Sequence, residues 1–225
     1  MKILTMFNLL SSYFKLETVD TISDHIISLY AAKLVAYTKH RQDKSLDIDL
    51  KKERDNDAVF IHSANTEGIE QLVDSKYLDN TENPWRLETY RSTSKGDLRC
   101  YFLSKVNLPK PASITNDNVT IRDVADPLFL EKASNNTLDI YERILQQTEV
   151  RAGPVVEAFE IEGSTEHRIV IGYKRGTTKG FFSSLTDLYH FYGLYSARKF
   201  VEQFSNGSVI VSLYLNQGIF LYFII

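Results

Sequence analysis

The sequence predicts an α+β fold: antiparallel strands in one sheet or two, with helices packed on one face. Two observations lead there. Short runs with period-two alternation are interleaved with segments whose apolar residues recur every three or four positions. And no G-x-G-x-x-G or Walker-type run joins a strand to a helix, as a doubly wound nucleotide-binding sheet would require.

The chain has 225 residues, enough for one large domain or two small ones. It divides on pattern into an N-terminal helical segment (1–42), a first α+β region (43–150) with a linker at 107–126, a second α+β unit (151–217) and an apolar tail (218–225). With 13 Tyr and 13 Phe it has the aromatic content for a substantial core. A net charge of −3 argues against bulk nucleic-acid or anionic-membrane binding. The one cysteine, Cys100, rules out an internal disulfide and a cysteine-based zinc site. That usage fits an intracellular compartment, cytoplasmic or mitochondrial.

The elements follow in order. Leu4, Phe7, Leu10 and Phe14 suggest an amphipathic N-terminal helix rather than a signal peptide, because Thr5 and Asn8 interrupt the apolar run. A helix over 21–41 has Thr21 or Ser23 as its cap and Ile22, Ile26, Leu29 and Tyr30 on its apolar face. The charged stretch 42–56 is a solvated connection with an edge strand near 45–51. A strand at 58–62, a helix at 66–78 and strands at 85–91 and 98–106 give the order β-α-β-β, compatible with a ferredoxin-like unit. Residues 107–126, rich in turn formers, read as a loop; 136–147 is a helix that Gly153-Pro154 keeps from extending.

The second unit begins with a strand at 155–161, turns at Gly163 and returns at 167–174. Thr177 or Thr178 is positioned to cap a helix carrying Phe181, Leu185, Leu188 and Tyr192. Ser196 starts a second helix with Phe200, Val201 and Phe204. Asn206-Gly207 turns the chain into a last strand at 208–216. The predicted order is β-β-α-α-β. The sequons at Asn118, Asn135 and Asn206 read as surface loops.

The chemistry is sparse. The five histidines are scattered without metal-ligand spacing. Ser164, Ser183 and Ser184 have no nucleophile elbow, and Cys100 sits mid-strand as a structural thiol. The one site-like cluster is Lys174, Arg175, Thr177, Thr178 and Lys179, where cations, hydroxyls and free N–H groups at a helix start could hold a phosphate, a carboxylate or another small effector. The bland alternative is a solvated turn. The aromatic run at 181–195 has helical spacing and reads as core rather than as a base-stacking surface.

Particular segments carry a family resemblance. They are Gly153-Pro154-Val155, the Tyr-Lys-Arg…Thr-Thr-Lys run at 173–179, the aromatic helix, the element at 196–200 and the Ser-Leu-Tyr-Leu-Asn strand at 212–216. In these the chain resembles the N-terminal region of the large fungal NAD-specific glutamate dehydrogenases. Segments 22–34 and 98–105 are similar as well. The resemblance implies an ACT-like, non-catalytic region serving regulation and assembly, with no catalytic, metal or cofactor-binding residues of its own. It further implies that the parent enzyme uses NAD to deaminate L-glutamate oxidatively to 2-oxoglutarate and ammonia. The partner would be the catalytic region of the full-length enzyme, itself a homo-oligomer. This chain alone is expected to be inactive and to bind no NAD. Gly-Ile-Phe-Leu-Tyr-Phe-Ile-Ile at 218–225 departs from the family pattern and is expected not to be native to the fold. A free-standing ACT-like effector-binding or interaction module is the alternative, and a tail-anchored membrane protein the third reading.

Overall fold

The computed structural model describes residues 50–54, 58–63, 66–79, 84–91, 99–110 and 119–217, with isolated helical positions between 19 and 27. The N-terminal amphipathic helix, most of the 21–41 helix and the 218–225 tail lie outside the described residues.

Eight strands form one sheet. They are β1 (Leu50–Arg54), β2 (Ala58–Ser63), β3 (Trp85–Arg91), β4 (Arg99–Lys105), β5 (Val155–Glu160), β6 (His167–Lys174), β7 (Leu194–Gln203) and β8 (Ser208–Gln217). Their order is β1-β2-β4-β3-β7-β8-β6-β5, and every neighbouring pair is antiparallel. The helices are α1 (Thr66–Val73), which continues as a π-helical turn (Asp74–Leu78), α2 (Ile121–Val124), α3 (Pro127–Lys132), α4 (Asn135–Val150) and α5 (Phe181–Phe191).

The order contains a repeat. In the first half, β2 and β3 are joined through α1 with β4 inserted between them; in the second, β6 and β7 are joined through α5 with β8 inserted. Each half is thus β-β-α-β-β around a split β-α-β, and the halves meet where β3 pairs β7, Leu87 opposite Val201 and Tyr90 opposite Arg198.

Two cores lie on opposite faces. Beneath α1 and α5, Val73, Tyr77, Leu87, Tyr101, Phe182, Val201 and Val211 form one cluster across both halves. On the other face α2, α3 and α4 cover the second half, with Phe129, Tyr141, Ile144, Val170, Phe204 and Ile210 packed together. Helices therefore occupy the expected face and the opposite one too. Gly172 of β6 lets α4 approach closely: a Cβ there would lie 2.2 Å from Ile144 Cγ2.

Three sequence expectations change. The helix expected from Ser196 is strand β7. It is buried on both faces, so charged and apolar residues occur on each, and the simple in–out alternation that marks a strand is lost. A register irregularity between Ser196 and Arg198 disturbs the period further. The edge strand expected at 45–51 is β1, Leu50–Arg54. The 107–126 loop contains α2, a single turn held by reciprocal Thr120–Asp123 capping. Just beyond it α3 follows, with Asp126 accepting from the Leu128 N–H and Pro127 in its first turn.

Candidate functional site

On the face opposite α1 and α5, the strands and α3–α4 enclose a cavity of about 370 Å³. Period two brings its residues there. Arg86 and Glu88 on β3 alternate with core-facing Leu87. Arg198, Phe200 and Glu202 on β7 alternate with Lys199 and Val201; Ser212 and Tyr214 come from β8 and Arg168 from β6. Phe129 and Lys132 of α3 and Tyr141 of α4 form the opposite wall.

The cavity is charged, and its two acids are already served. Arg86 pairs with Glu88 at 2.9 Å and with Glu202 at 2.8 Å, and Lys132 stands 3.8 Å from Glu88. Burial pushes the Glu202 carboxyl up to about 8, with the charges of Glu88 and Asp126 adding to the rise against the pull of Arg86. Tyr214 lies against two guanidinium groups, Arg198 at 3.8 Å from its ring centroid and Arg168 at 5.6 Å. Arg168 Nε donates to Ser212 Oγ at 3.0 Å. Arg198 pairs with Glu166 at the rim. A second hollow of about 540 Å³ shares Arg168, Arg198 and Tyr214. With cations, aromatic walls and neither histidine nor cysteine in the lining, the arrangement suits binding an anion rather than nucleophilic catalysis.

The other polar cluster is sealed. Under α1 and α5, Glu70 pairs with Arg99 at 2.7 Å, and Lys199 with Asp74 at 2.5 Å. Thr89 accepts from Arg99 at 2.9 Å, Tyr189 donates to Glu70, and Thr186 donates to Asp74. Arg99, Lys199, Glu70 and Asp74 are at most 1% exposed, so the network is an interior joint rather than a site. Cys100 is buried, and burial pushes its thiol up to about 12 despite the neighbouring Arg99, which leaves no thiolate for nucleophilic attack. Among the described residues no group of three or more His, Cys, Asp or Glu could hold a metal ion. No described helix is long and apolar enough to cross a membrane.

The turn singled out in the sequence has a definite arrangement. Lys174 Nζ donates to the Glu149 carboxylate and, at 3.1 Å, to the Asn206 carbonyl. Thr177 Oγ1 donates to the Lys174 carbonyl at 2.7 Å, closing the turn. Neither threonine caps the helix. α5 starts at Phe181 after Gly180, which has φ 64°, and its free N–H groups at Phe182 and Ser183 donate to Asp79 at 2.8 and 3.2 Å. A carboxylate of this chain thus stands at the helix start, 103 residues upstream of Phe182. Arg175 and Thr178 border a hollow of only about 20 Å³, and Thr177, Thr178 and Lys179 are exposed.

The residues of the cavity under α3 and α4 had no sequence signal as a group. They come from four strands and two helices. Recognising 194–203 as a strand would have put Arg198, Phe200 and Glu202 in one row.

Comparison with known proteins places the chain among relatives. Residues 48–219 match the family model described as NAD-specific glutamate dehydrogenase, second domain. Residues 7–35 match that of NAD-dependent glutamate dehydrogenase, N-terminal domain. The chain is 41% identical to an NAD-specific glutamate dehydrogenase of Neurospora crassa over 90% of its own length and 21% of the relative's. It is 35% identical to a probable NAD-specific glutamate dehydrogenase of Schizosaccharomyces pombe, over 89% of this chain and 20% of the relative. Glutamate dehydrogenase 2 of Dictyostelium discoideum is 30% identical over 91% of this chain and 24% of its own length. The chain thus spans about a fifth to a quarter of the curated relatives it matches.

Proposed function

The chain belongs to the NAD-specific glutamate dehydrogenase family, and from that membership we propose that it is a non-catalytic region serving regulation and assembly of such an enzyme. One observation carries the reading: all eight strands pair antiparallel. A doubly wound dinucleotide site is built differently, on parallel strands whose carboxyl ends meet helix N-termini at a glycine-rich turn. On this reading NAD binds, and L-glutamate is deaminated oxidatively to 2-oxoglutarate and ammonia, in a part of the enzyme outside the described fold. The partner of this chain is then the catalytic region of the same polypeptide, in an oligomer of full-length subunits.

The test is NADH formation from glutamate and NAD, measured on this chain and on the full-length enzyme. The chain is expected to show no turnover and the full enzyme clear turnover. Glutamate-dependent NADH formation by the chain alone would overturn the proposal.

The basic cavity favours a second reading, in which the fold works as a free-standing effector-binding module. Immunoblotting of a cell extract separates the two. A species near the chain's own 25.9 kDa supports the module, and detection only within a several-fold larger polypeptide supports the enzyme region.

A further inference from the structure

We infer that the cavity between the sheet and α3–α4 is a binding site for a small organic anion, whose charged end is held by the Arg168 and Arg198 guanidinium groups. The inference stands on the cavity itself and needs neither reading of the chain's role.

The first support is the state of Arg168. It is 8% exposed, so most of its hydration is lost, yet among the described residues it makes no ion pair. Its partners are the Ser212 hydroxyl and the faces of Phe159 and Tyr214. A desolvated guanidinium without a carboxylate is costly, and an incoming oxyanion would supply what is missing. The second is Arg198. It lies over the same Tyr214 ring; one of its terminal nitrogens pairs with Glu166 at the rim, while its Nε is buried without a hydrogen-bond partner. Tyr214 therefore sets two forked donors beside one space, the arrangement that favours carboxylate or phosphate over a spherical ion.

The remaining walls define the rest of the ligand. The acids in the cavity, Glu88 and Glu202, face Arg86 and Lys132, so they do not neutralise the arginines across the floor. Burial holds the Glu202 carboxyl above the usual carboxylate range, which weakens any repulsion of an anion. Phe129 and Phe200 give apolar surface against which a ring or short chain can lie. A volume of about 370 Å³ lies at the small end of the range for compact ligands. The ligand class is an oxyanion on a compact apolar body. Whether the oxyanion is a carboxylate or a phosphate ester is decided by the arms of the experiment.

The experiment is calorimetric titration of the 225-residue chain at constant ionic strength with benzoate, phenyl phosphate and inorganic phosphate as separate probes. One saturable site per chain is expected for benzoate or phenyl phosphate, the tighter identifying the oxyanion, with inorganic phosphate weaker than phenyl phosphate. Arg168→Gln and Arg198→Gln are each expected to weaken binding by about tenfold or more, the loss of a charge-assisted forked contact. Arg168→Lys, which keeps charge but not the fork, is expected to fall between. Arg122→Gln, exposed and outside the cavity, is expected to bind as the wild type. Amide shifts at Tyr214 and Phe200 in the wild-type chain give a readout that does not depend on any variant folding. Absence of saturable binding by both aryl anions up to about 20 mM, weaker than any specific site of this size would be, would overturn the inference. So would undiminished binding by folded Arg168→Gln and Arg198→Gln, or shifts that bypass the cavity.

Discussion

Replacing Glu70 by Gln would leave a guanidinium charge in the interior with nothing to balance it. The two side chains are nearly the same shape, so the change isolates charge from packing. Glu70 holds Arg99 at 2.7 Å, accepts from Ser196 at 3.1 Å and from Tyr189, and stands 3.6 Å from His190 Nε2. Glu70 and Arg99 side chains are each 1% exposed, so water cannot replace the lost carboxylate. Breaking a buried pair on one side costs about 3–5 kcal/mol, a large share of the roughly 5–15 kcal/mol that holds a domain folded. In urea, at a slope of about 2–3 kcal/mol per molar, the unfolding midpoint of Glu70→Gln should fall by about 1–2 M at pH 7. Burial alone would raise the Glu70 carboxyl; Arg99, with His190, Lys199 and Tyr189, overrides it and holds the group down at about 2. A depressed carboxylate contributes its stability above the unfolded value of 4.5 and loses it as pH falls through the folded value. The gap between wild type and variant should therefore be full above pH 4.5 and close toward pH 2. Adding Arg99→Met to Glu70→Gln removes the stranded charge, and the double variant should be more stable than Glu70→Gln alone. A Glu70→Gln loss below about 1 kcal/mol at pH 7, or a double variant less stable than the single one, would refute the reasoning.

Three further outcomes are expected. Glu202→Gln should tilt the pH profile: a carboxyl raised to about 8 keeps its full stability below the unfolded value of 4.5 and loses it as pH rises to 8, so thermal midpoints of wild type and variant should diverge between pH 4.5 and 8 in the variant's favour and run parallel above. Gly172→Ala should cost about 1–3 kcal/mol in chemical denaturation, because its Cβ meets Ile144 Cγ2 at 2.2 Å and Thr148 Cγ2 at 3.0 Å; Ile144→Ala in the same chain should recover part of that loss. Asp79→Ala should cost about 0.5–2 kcal/mol and speed amide exchange at Phe182 and Ser183, whose N–H groups lose their carboxylate acceptor.

How much of this was legible depended on whether an element shows one face to water. β5, β6 and β8 announced themselves, since each hairpin is closed by a glycine in the positive-φ region, Gly163 at 71° and Gly207 at 81°. α4 was legible from its apolar stripe and from the Gly153-Pro154 stop beyond it. β7 was not. Lys199, an ammonium buried to 0% exposure, sits on the same face as Val201, while Arg198 and Glu202 line the cavity on the other. A strand whose two faces both carry charge gives no period-two contrast, and Phe200, Val201 and Phe204 then pass for a helical stripe. The cavity was hidden for a related reason. Arg86 and Glu88 gave no sign of a cavity because α3, six residues long, carries too little pattern to predict a roof over them.

The repeated β-β-α-β-β connectivity raises a mechanical problem that the buried charges answer. Two units of the same topology joined edge to edge through β3 and β7 could slide along each other, since the β3–β7 ladder is backbone bonding that any register would offer. A slip of one residue would turn Lys199 to the opposite face and leave Asp74 without its ammonium, 2.5 Å away in the observed register. It would also carry Ser196 away from Glu70 and Arg99, separating β7 from partners on α1 and β4. The same slip would turn Val201 away from Leu87, so the apolar pattern resists it too. Desolvated ions add a larger penalty, since each misplaced one costs several kcal/mol. The network joins α1 and β4 of the first unit to α5 and β7 of the second, and so fixes the register of the seam. The same register sets Arg86 of β3 against Glu202 of β7 on the far face, at 2.8 Å. The cavity floor, where Arg168 has no ion pair among the described residues and Arg198 pairs with Glu166 at the rim, is therefore positioned by charges buried on the opposite face.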